Sequence, residues 1–403
     1  MPTAAMGGSG SGTSLEGFLV VSPDVIERAS LLTLAHEIAH QWWADSVFAV
    51  GQAPVLLAET MANYGGLRAL EGIYGERAAA EARWRGFPGE PPITGGRGYL
   101  TLSRVGLDEP LTSATVDGLV AGSKGMLVHD LLSRTLGRER FKTVLRDFAR
   151  DHAFQDTTWQ AFVDAVLGAE PDIGWFLDQW YARSGLPSWT VSWNQQDGQV
   201  RGAITQSPPF FRADVEVVLR GATNRELHHL RIEGPRTEFA WRVGYPVAAV
   251  DVDPDFKVPH DSPDRTADVD AVAGLGQAVK AARGGADFNA ALRKVLREGD
   301  FLREAILAGD AFDRGELETA RVHVDTALAH RSPLPELLPG LYYTQALLAR
   351  QRGDRDALER AARAALDADE RLAVPSGYAL PARELLDALV LVTLPSRAPR
   401  EPR

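Results

Sequence analysis

The chain has 403 residues, 45% hydrophobic and 24% charged, enough for two or three domains with cores of their own. A formal charge of −11 and the lack of any basic face exclude nucleic acid as a main partner. No apolar run approaches the ~18 residues that read as a membrane span, and with no cysteine, disulfides and cysteine-ligated zinc are excluded while the compartment stays open.

In chain order, the opening MPTAAMGGSGSG lacks the charged start and apolar core of a signal peptide. Glu16, the only acid in the first twenty-three residues, precedes a strand-like run from Phe18 to Val21. Ser22-Pro23 then suits a helix start, because proline at the first helical position loses no intrahelical bond. Ile26, Leu31, Leu34, Ala35, Ile38 and Trp42 follow near a 3.6 period and define a buried face. Within this segment, LLTLAHEIAHQWWAD places His36 and His40 one turn apart on one side, where two imidazoles can hold one metal ion. Glu37 directly follows the first histidine, so its carboxylate can take a proton from a water in an open metal position. A hydrolytic zinc site needs a third ligand. With eighteen residues between them, His40 is followed by Glu59, the only acid between Asp45 and Glu71, in a second helical segment opened by Pro54. A lone carboxylate among apolar residues is costly unless paired or metal-bound. Asn63, one turn on, either bonds the metal shell or faces solvent.

HEIAHQWW, eighteen residues, then ETMANY resembles the aminopeptidase N family of gluzincin zinc metallopeptidases. GSKGMLVHDLLSRTLGRERF is similar to the helix after that family's catalytic tyrosine, and FLDQWYARSGLPSWTVSW to the end of its catalytic domain. The resemblance covers about residues 14 to 260. It implies a thermolysin-like, mostly helical catalytic domain that binds one Zn2+ per chain and cleaves peptides, usually from the amino terminus. It also implies a glutamate ahead of the zinc helix that binds the substrate's free amino group. Glu16 matches in position but not in flanking residues, so a solvated loop glutamate is the other reading. The family's transition-state tyrosine stands two residues before the Lys-Gly pair, and here Lys124-Gly125 is preceded by Gly122. Glycine has no hydroxyl for the oxyanion, which opens an alternative: a zinc-binding but catalytically weak relative acting as a peptide- or protein-binding scaffold. Tyr64 and Tyr99 are the candidate substitutes. Such a domain lays several strands ahead of the zinc helix, and about one precedes it here, so we expect a piece of a longer protein.

A Gly-, Pro- and Arg-rich stretch from Trp84 to Gly106 reads as a loop, and helical patterns resume from Ser123 through Trp180. His129, among Leu127, Val128, Leu131 and Leu132, reads as a core histidine. After Pro187 the period becomes two: WTVSWNQQDGQVRGAITQ is a hairpin around Asp197-Gly198, and four more short runs follow. His228 and His229, adjacent on one run, point to opposite faces and do not share a metal. Beyond a polar, proline-rich stretch the chain is helical, with Gly315 superposing on Gly353 and Ala327-Leu328 on Ala365-Leu366 thirty-eight residues later. That resembles tetratricopeptide repeats, which imply a protein partner. The expected fold class is multidomain α+β. It comprises a peptidase domain over 1–187, a small β-sandwich over 188–258, a linker over 259–275 and a C-terminal α-helical repeat domain over 276–395. The expected function is zinc-dependent hydrolysis of peptide substrates, of the aminopeptidase type, by a metal-activated water with Glu37 as general base.

Overall fold

In a computed structural model, the residues described are 12–27, 31–87, 92–113, 116, 118–330 and 332–393. The chain opens with an antiparallel hairpin, β1 (Gly12–Leu15) and β2 (Phe18–Val21), closed at Glu16-Gly17 with Gly17 at a left-handed φ of 83°. Helix α1 (Pro23–Glu27) starts at the expected proline, and α2 (Leu31–His40) carries the histidine pair and ends on the second of them. Strand β3 (Val47–Val50) leads to α3 (Pro54–Leu57) and α4 (Glu59–Tyr74). The helix expected to run on from Pro54 is broken at Ala58 (φ −90°, ψ −89°), which puts Glu59 in the first turn of α4. There the partial positive charge of the helix N-terminus favours an ionised carboxylate. Helices α2 and α4 approach closely because Gly65 has no side chain: an added Cβ would stand 2.8 Å from Ala39 Cβ.

Around this pair pack α5 (Glu76–Arg85), α6 (Gly95–Arg104) and α7 (Gly118–Val120), which runs into a π-helical turn over Ala121–Gly125. The stretch expected as one loop from Trp84 to Gly106 therefore contains a helix, with Tyr99, Leu100 and Leu102 buried in it. Next come α8 (Met126–Leu136), α9 (Arg138–Asp151), β4 (Gln155–Thr158), α10 (Trp159–Ala169) and α11 (Gly174–Trp180). β4 returns to pair in parallel with β3. Buried Asp130 accepts from Arg134 Nε at 3.0 Å and lies 3.5 Å from Arg83 Nη1, tying α5 to α8.

From residue 188 the chain forms two antiparallel three-stranded sheets. One has β5 (Ser188–Gln196), β6 (Gln199–Ser207) and β9 (Arg236–Arg242) in the order β5-β6-β9. The other has β7 (Ala213–Arg220), β8 (Arg225–Ile232) and β10 (Ala249–Val252) in the order β10-β7-β8. Asp197 (φ 50°) and Gly198 (φ 71°) both take left-handed values, as a two-residue hairpin between twisted strands requires. Val200 and Ile204 of β6 are buried in one core with Val215, Val217 and Leu219 of β7. His228 stacks on Trp241 at 4.3 Å while His229 is exposed, so the two do point apart.

Residues 259–275 are packed rather than free. His260, Val269 and Val272 are buried, and His260 stacks on Trp189 at 4.1 Å. The buried Asp253 carboxylate accepts from the backbone N–H of Lys257 (2.9 Å) and Val258 (2.8 Å), turning the chain back on itself. Helix α12 (Thr266–Asp270) lies within this stretch. Proline and aspartate composition does not reveal it, because the acid that organises the turn is satisfied by its own backbone. The remaining helices are α13 (Ala273–Arg283), α14 (Phe288–Val295), α15 (Phe301–Asp313), α16 (Leu317–Leu328), α17 (Leu338–Gln351), α18 (Arg355–Asp369) and α19 (Ala379–Thr393). Gly315 (φ 73°) and Gly353 (φ 71°) occupy the left-handed turns between α15 and α16 and between α17 and α18. The thirty-eight-residue periodicity is thus a recurrence of helix hairpins. Among the described residues no helix is long and apolar enough to cross a membrane.

Candidate metal centre

One turn of α2 brings the two imidazoles together, with His40 Nε2 3.0 Å from His36 Nε2. Glu59 Oε2 from α4 lies 3.5 Å from His36 Nε2 and 3.7 Å from His40 Nε2. Each histidine has an acceptor behind it. His36 Nδ1 donates to Asn63 Oδ1 at 3.1 Å and His40 Nδ1 to the Trp43 carbonyl at 2.8 Å. With both Nδ1 atoms carrying protons, both Nε2 lone pairs point at each other and at a carboxylate. Two lone pairs that close repel unless a proton or cation lies between them. A tetrahedron with zinc bonds of 2.0–2.1 Å has edges of about 3.3 Å, close to all three separations. His36, His40 and Glu59 therefore fit a zinc ion, and among the described residues they are the one His/Asp/Glu group that meets this geometry.

Electrostatics agree with the geometry. The facing imidazoles of His36 and His40, with a proton or cation required between them and the carboxylate, hold the Glu59 carboxyl well below the usual carboxylate range. Burial alone would lower the His40 pKa, yet Glu59, the Trp43 carbonyl and Glu37 raise it overall. Burial raises the Glu37 pKa against the pull of the two imidazoles, leaving a carboxylate with more proton affinity than an exposed one. A cavity of about 280 Å³ opens on the group and is lined by His36, Glu37, Glu59, Asn63 and Gly122 together with Phe87 and Met126.

The β1–β2 hairpin walls this cavity through contacts that sequence reasoning missed. Gln41 Nε2 donates to Ser14 Oγ (2.6 Å) and the Leu15 carbonyl (2.9 Å), its Oε1 accepts from the Gly17 N–H (3.0 Å), and Ser14 Oγ donates to Asp45. Gln41 and Asp45 lie in the turn that directly follows the zinc helix, so motif and hairpin are one construction. The result presses Gly12 onto the general-base candidate: a Cβ there would stand 2.6 Å from Glu37 Cγ and Oε1. A Gln one residue past an H-E-x-x-H helix was the available signal.

Glu16 is not brought to the site. It sits exposed at the hairpin tip and is absent from the cavity lining, because the two-residue turn that reverses β1 into β2 is built from it. Gly122 lies where expected, on the cavity wall in the π-helical turn, held to α4 by Thr60 Oγ1 donating to the Ala121 carbonyl at 3.2 Å. Neither substitute tyrosine reaches it. Tyr64 is buried 5.7 Å from the Phe141 ring, and Tyr99 donates to Asp108 Oδ1 at 2.5 Å.

Residues 1–180 match the peptidase family M1 domain. Aminopeptidase N of Lactococcus lactis subsp. lactis is 27% identical over 166 residues, 39% of this chain and 19% of that protein. The thyrotropin-releasing hormone-degrading ectoenzyme of Rattus norvegicus is 26% identical over 219 residues, 51% of this chain and 20% of its own length. The matched stretch thus spans about a fifth of these curated relatives. A crystal structure of Legionella pneumophila aminopeptidase A in complex with aspartic acid superposes with a TM-score of 0.45 at 14% identity, covering 90% of this chain and 44% of that one.

Proposed function

We infer from the peptidase family M1 domain carried by residues 1–180 that this chain hydrolyses peptide bonds, with one zinc ion held by His36, His40 and Glu59. The observation that carries the reading is the convergence of three ligand atoms within 4.8 Å of one another beside a buried glutamate. When bound there, zinc supplies Lewis acidity and brings the pKa of a coordinated water towards ~7. Glu37 takes the proton of the attacking water and delivers it to the leaving amine. Asn63 and the Trp43 carbonyl hold the histidine tautomers that leave both Nε2 atoms free. Gly12 and the hairpin keep Glu37 against the cavity.

Glu37→Gln keeps the shape and removes the base. We expect it to retain zinc while hydrolysis of a fluorogenic amino-acid amide falls ~10²–10⁴-fold. Hydrolysis that survives the substitution would refute the assignment of the base. Gly122 on the cavity wall favours one second reading, a zinc-binding chain with little turnover. Zinc-loaded wild type that leaves both amides and longer peptides intact would establish that reading instead. Comparing a free with an acetylated peptide then separates aminopeptidase from endopeptidase action.

A further inference from the structure

We propose that Asn63 Nδ2 donates a hydrogen bond to the scissile carbonyl oxygen of the bound peptide and so does the work for which Gly122 has no group. This rests on the peptidase reading above. Asn63 lines the cavity, and its Oδ1 is committed to His36 Nδ1 at 3.1 Å. That bond fixes the carboxamide plane, because an Nδ1 that carries a proton donates only to the oxygen end of the amide. The Nδ2 end therefore has a set direction, and among the described residues it has no acceptor. It faces the backbone of Gly122: the first side-chain atom of any larger residue there would stand 3.5 Å from Nδ2. Gly122 does not hold a left-handed φ, so the turn itself does not demand glycine. What glycine provides is an uncovered path from the cavity to the amide.

Other donors on the same wall are unsuited. Thr33 and Thr94 already have interaction partners, and the Ser123 hydroxyl is sealed from solvent. A carboxamide N–H aimed where negative charge develops is a known form of oxyanion stabilisation, and loss of one such donor costs ~10²–10³ in turnover. Asn63 would thus serve two atoms at once, with Oδ1 orienting a metal ligand and Nδ2 touching the substrate.

The two roles separate by substitution. Asn63→Asp keeps an acceptor for His36 Nδ1 and removes the donor. Asn63→Ala removes both without adding charge. Zinc affinity is measured by competition with a chromogenic chelator. Binding of a phosphinic pseudopeptide, whose tetrahedral oxygens mimic the oxyanion, is measured by calorimetry at saturating zinc. We expect Asn63→Asp to hold zinc as tightly as wild type, and Asn63→Ala to lose ~10–100-fold in zinc affinity. At saturating zinc both should lose ~10²–10³-fold in kcat and in phosphinate affinity, with KM little changed. If Asn63→Ala at saturating zinc keeps the wild-type phosphinate affinity, Asn63 only orients His36 and the proposal is overturned. If wild type fails to hydrolyse peptides yet binds the phosphinate, the peptidase reading fails while the same comparison of variants still decides the donor role.

Discussion

Two buried histidines on packed helices of this chain behave in opposite ways. His40 is 8% exposed and His129 is 0% exposed, so burial pulls both imidazoles towards neutrality. At His40 that pull is outweighed by Glu59, the Trp43 carbonyl and Glu37, and the pKa rises. At His129, stacked 6.3 Å from Phe162 and from Trp159, no carboxylate answers it, and burial pushes the pKa down to about 3. His129 Nδ1 lies 2.9 Å from the Tyr181 hydroxyl, and among the described residues Nε2 has no hydrogen-bond partner, while the backbone of Leu56 and Gly125 offsets the burial only in part. A metal site is therefore marked neither by histidine nor by burial. Its mark is an acceptor behind each ring and a carboxylate in front.

The largest effect expected from this contrast is on acid stability. A histidine whose folded pKa lies below its ordinary ~6.5 contributes stability that is complete above that value and is lost as pH falls from about 6.5 towards 3. With a folded value of about 3, the loss reaches the order of 4 kcal/mol. His129→Phe should flatten that part of the stability curve relative to wild type, followed by urea unfolding at a series of pH values. At neutral pH it should cost ~1–3 kcal/mol by leaving the Tyr181 hydroxyl unpaired. An unchanged acid limb would show that His129 protonates without opening its aromatic box. Next in size is the effect of chelation. Zinc at a hundred times its Kd stabilises by about 2.7 kcal/mol, so EDTA should lower the wild-type Tm and leave those of His40→Ala and chelated wild type alike. His129→Phe should keep the full response to EDTA, and its loss there would erase the contrast. The smallest effect concerns an acid that converges on nothing. Glu16→Gln, at the exposed hairpin tip, should leave the ratio of rates on free and acetylated peptides unchanged. A collapse of that ratio would mean that the tip folds onto the substrate.

What was legible followed from local period. Helical repeat alone places His36 beside His40, and a required third ligand singles out Glu59 in a stretch with no other acid. Asp197-Gly198 announces its hairpin because the turn needs two left-handed residues. What stayed hidden depends on contacts distant in sequence. Gln41 and Asp45 gain their meaning only from Ser14 and Leu15, which pack against them from the hairpin. Asn63 had two open readings until its distance to His36 closed one of them. The break at Ala58 carries no proline or glycine, so nothing local separates α3 from α4. Residues 259–275 have a linker's composition and a core's burial because Asp253 is satisfied by the backbone it turns.

The central claim is that His36, His40 and Glu59 hold one zinc ion. Elemental analysis of the purified chain after zinc reconstitution and exhaustive dialysis tests it most directly, run beside the triple variant His36→Ala, His40→Ala, Glu59→Ala. The account predicts one zinc per wild-type chain and none in the variant. A wild type without zinc, or a variant that keeps it, would contradict the account.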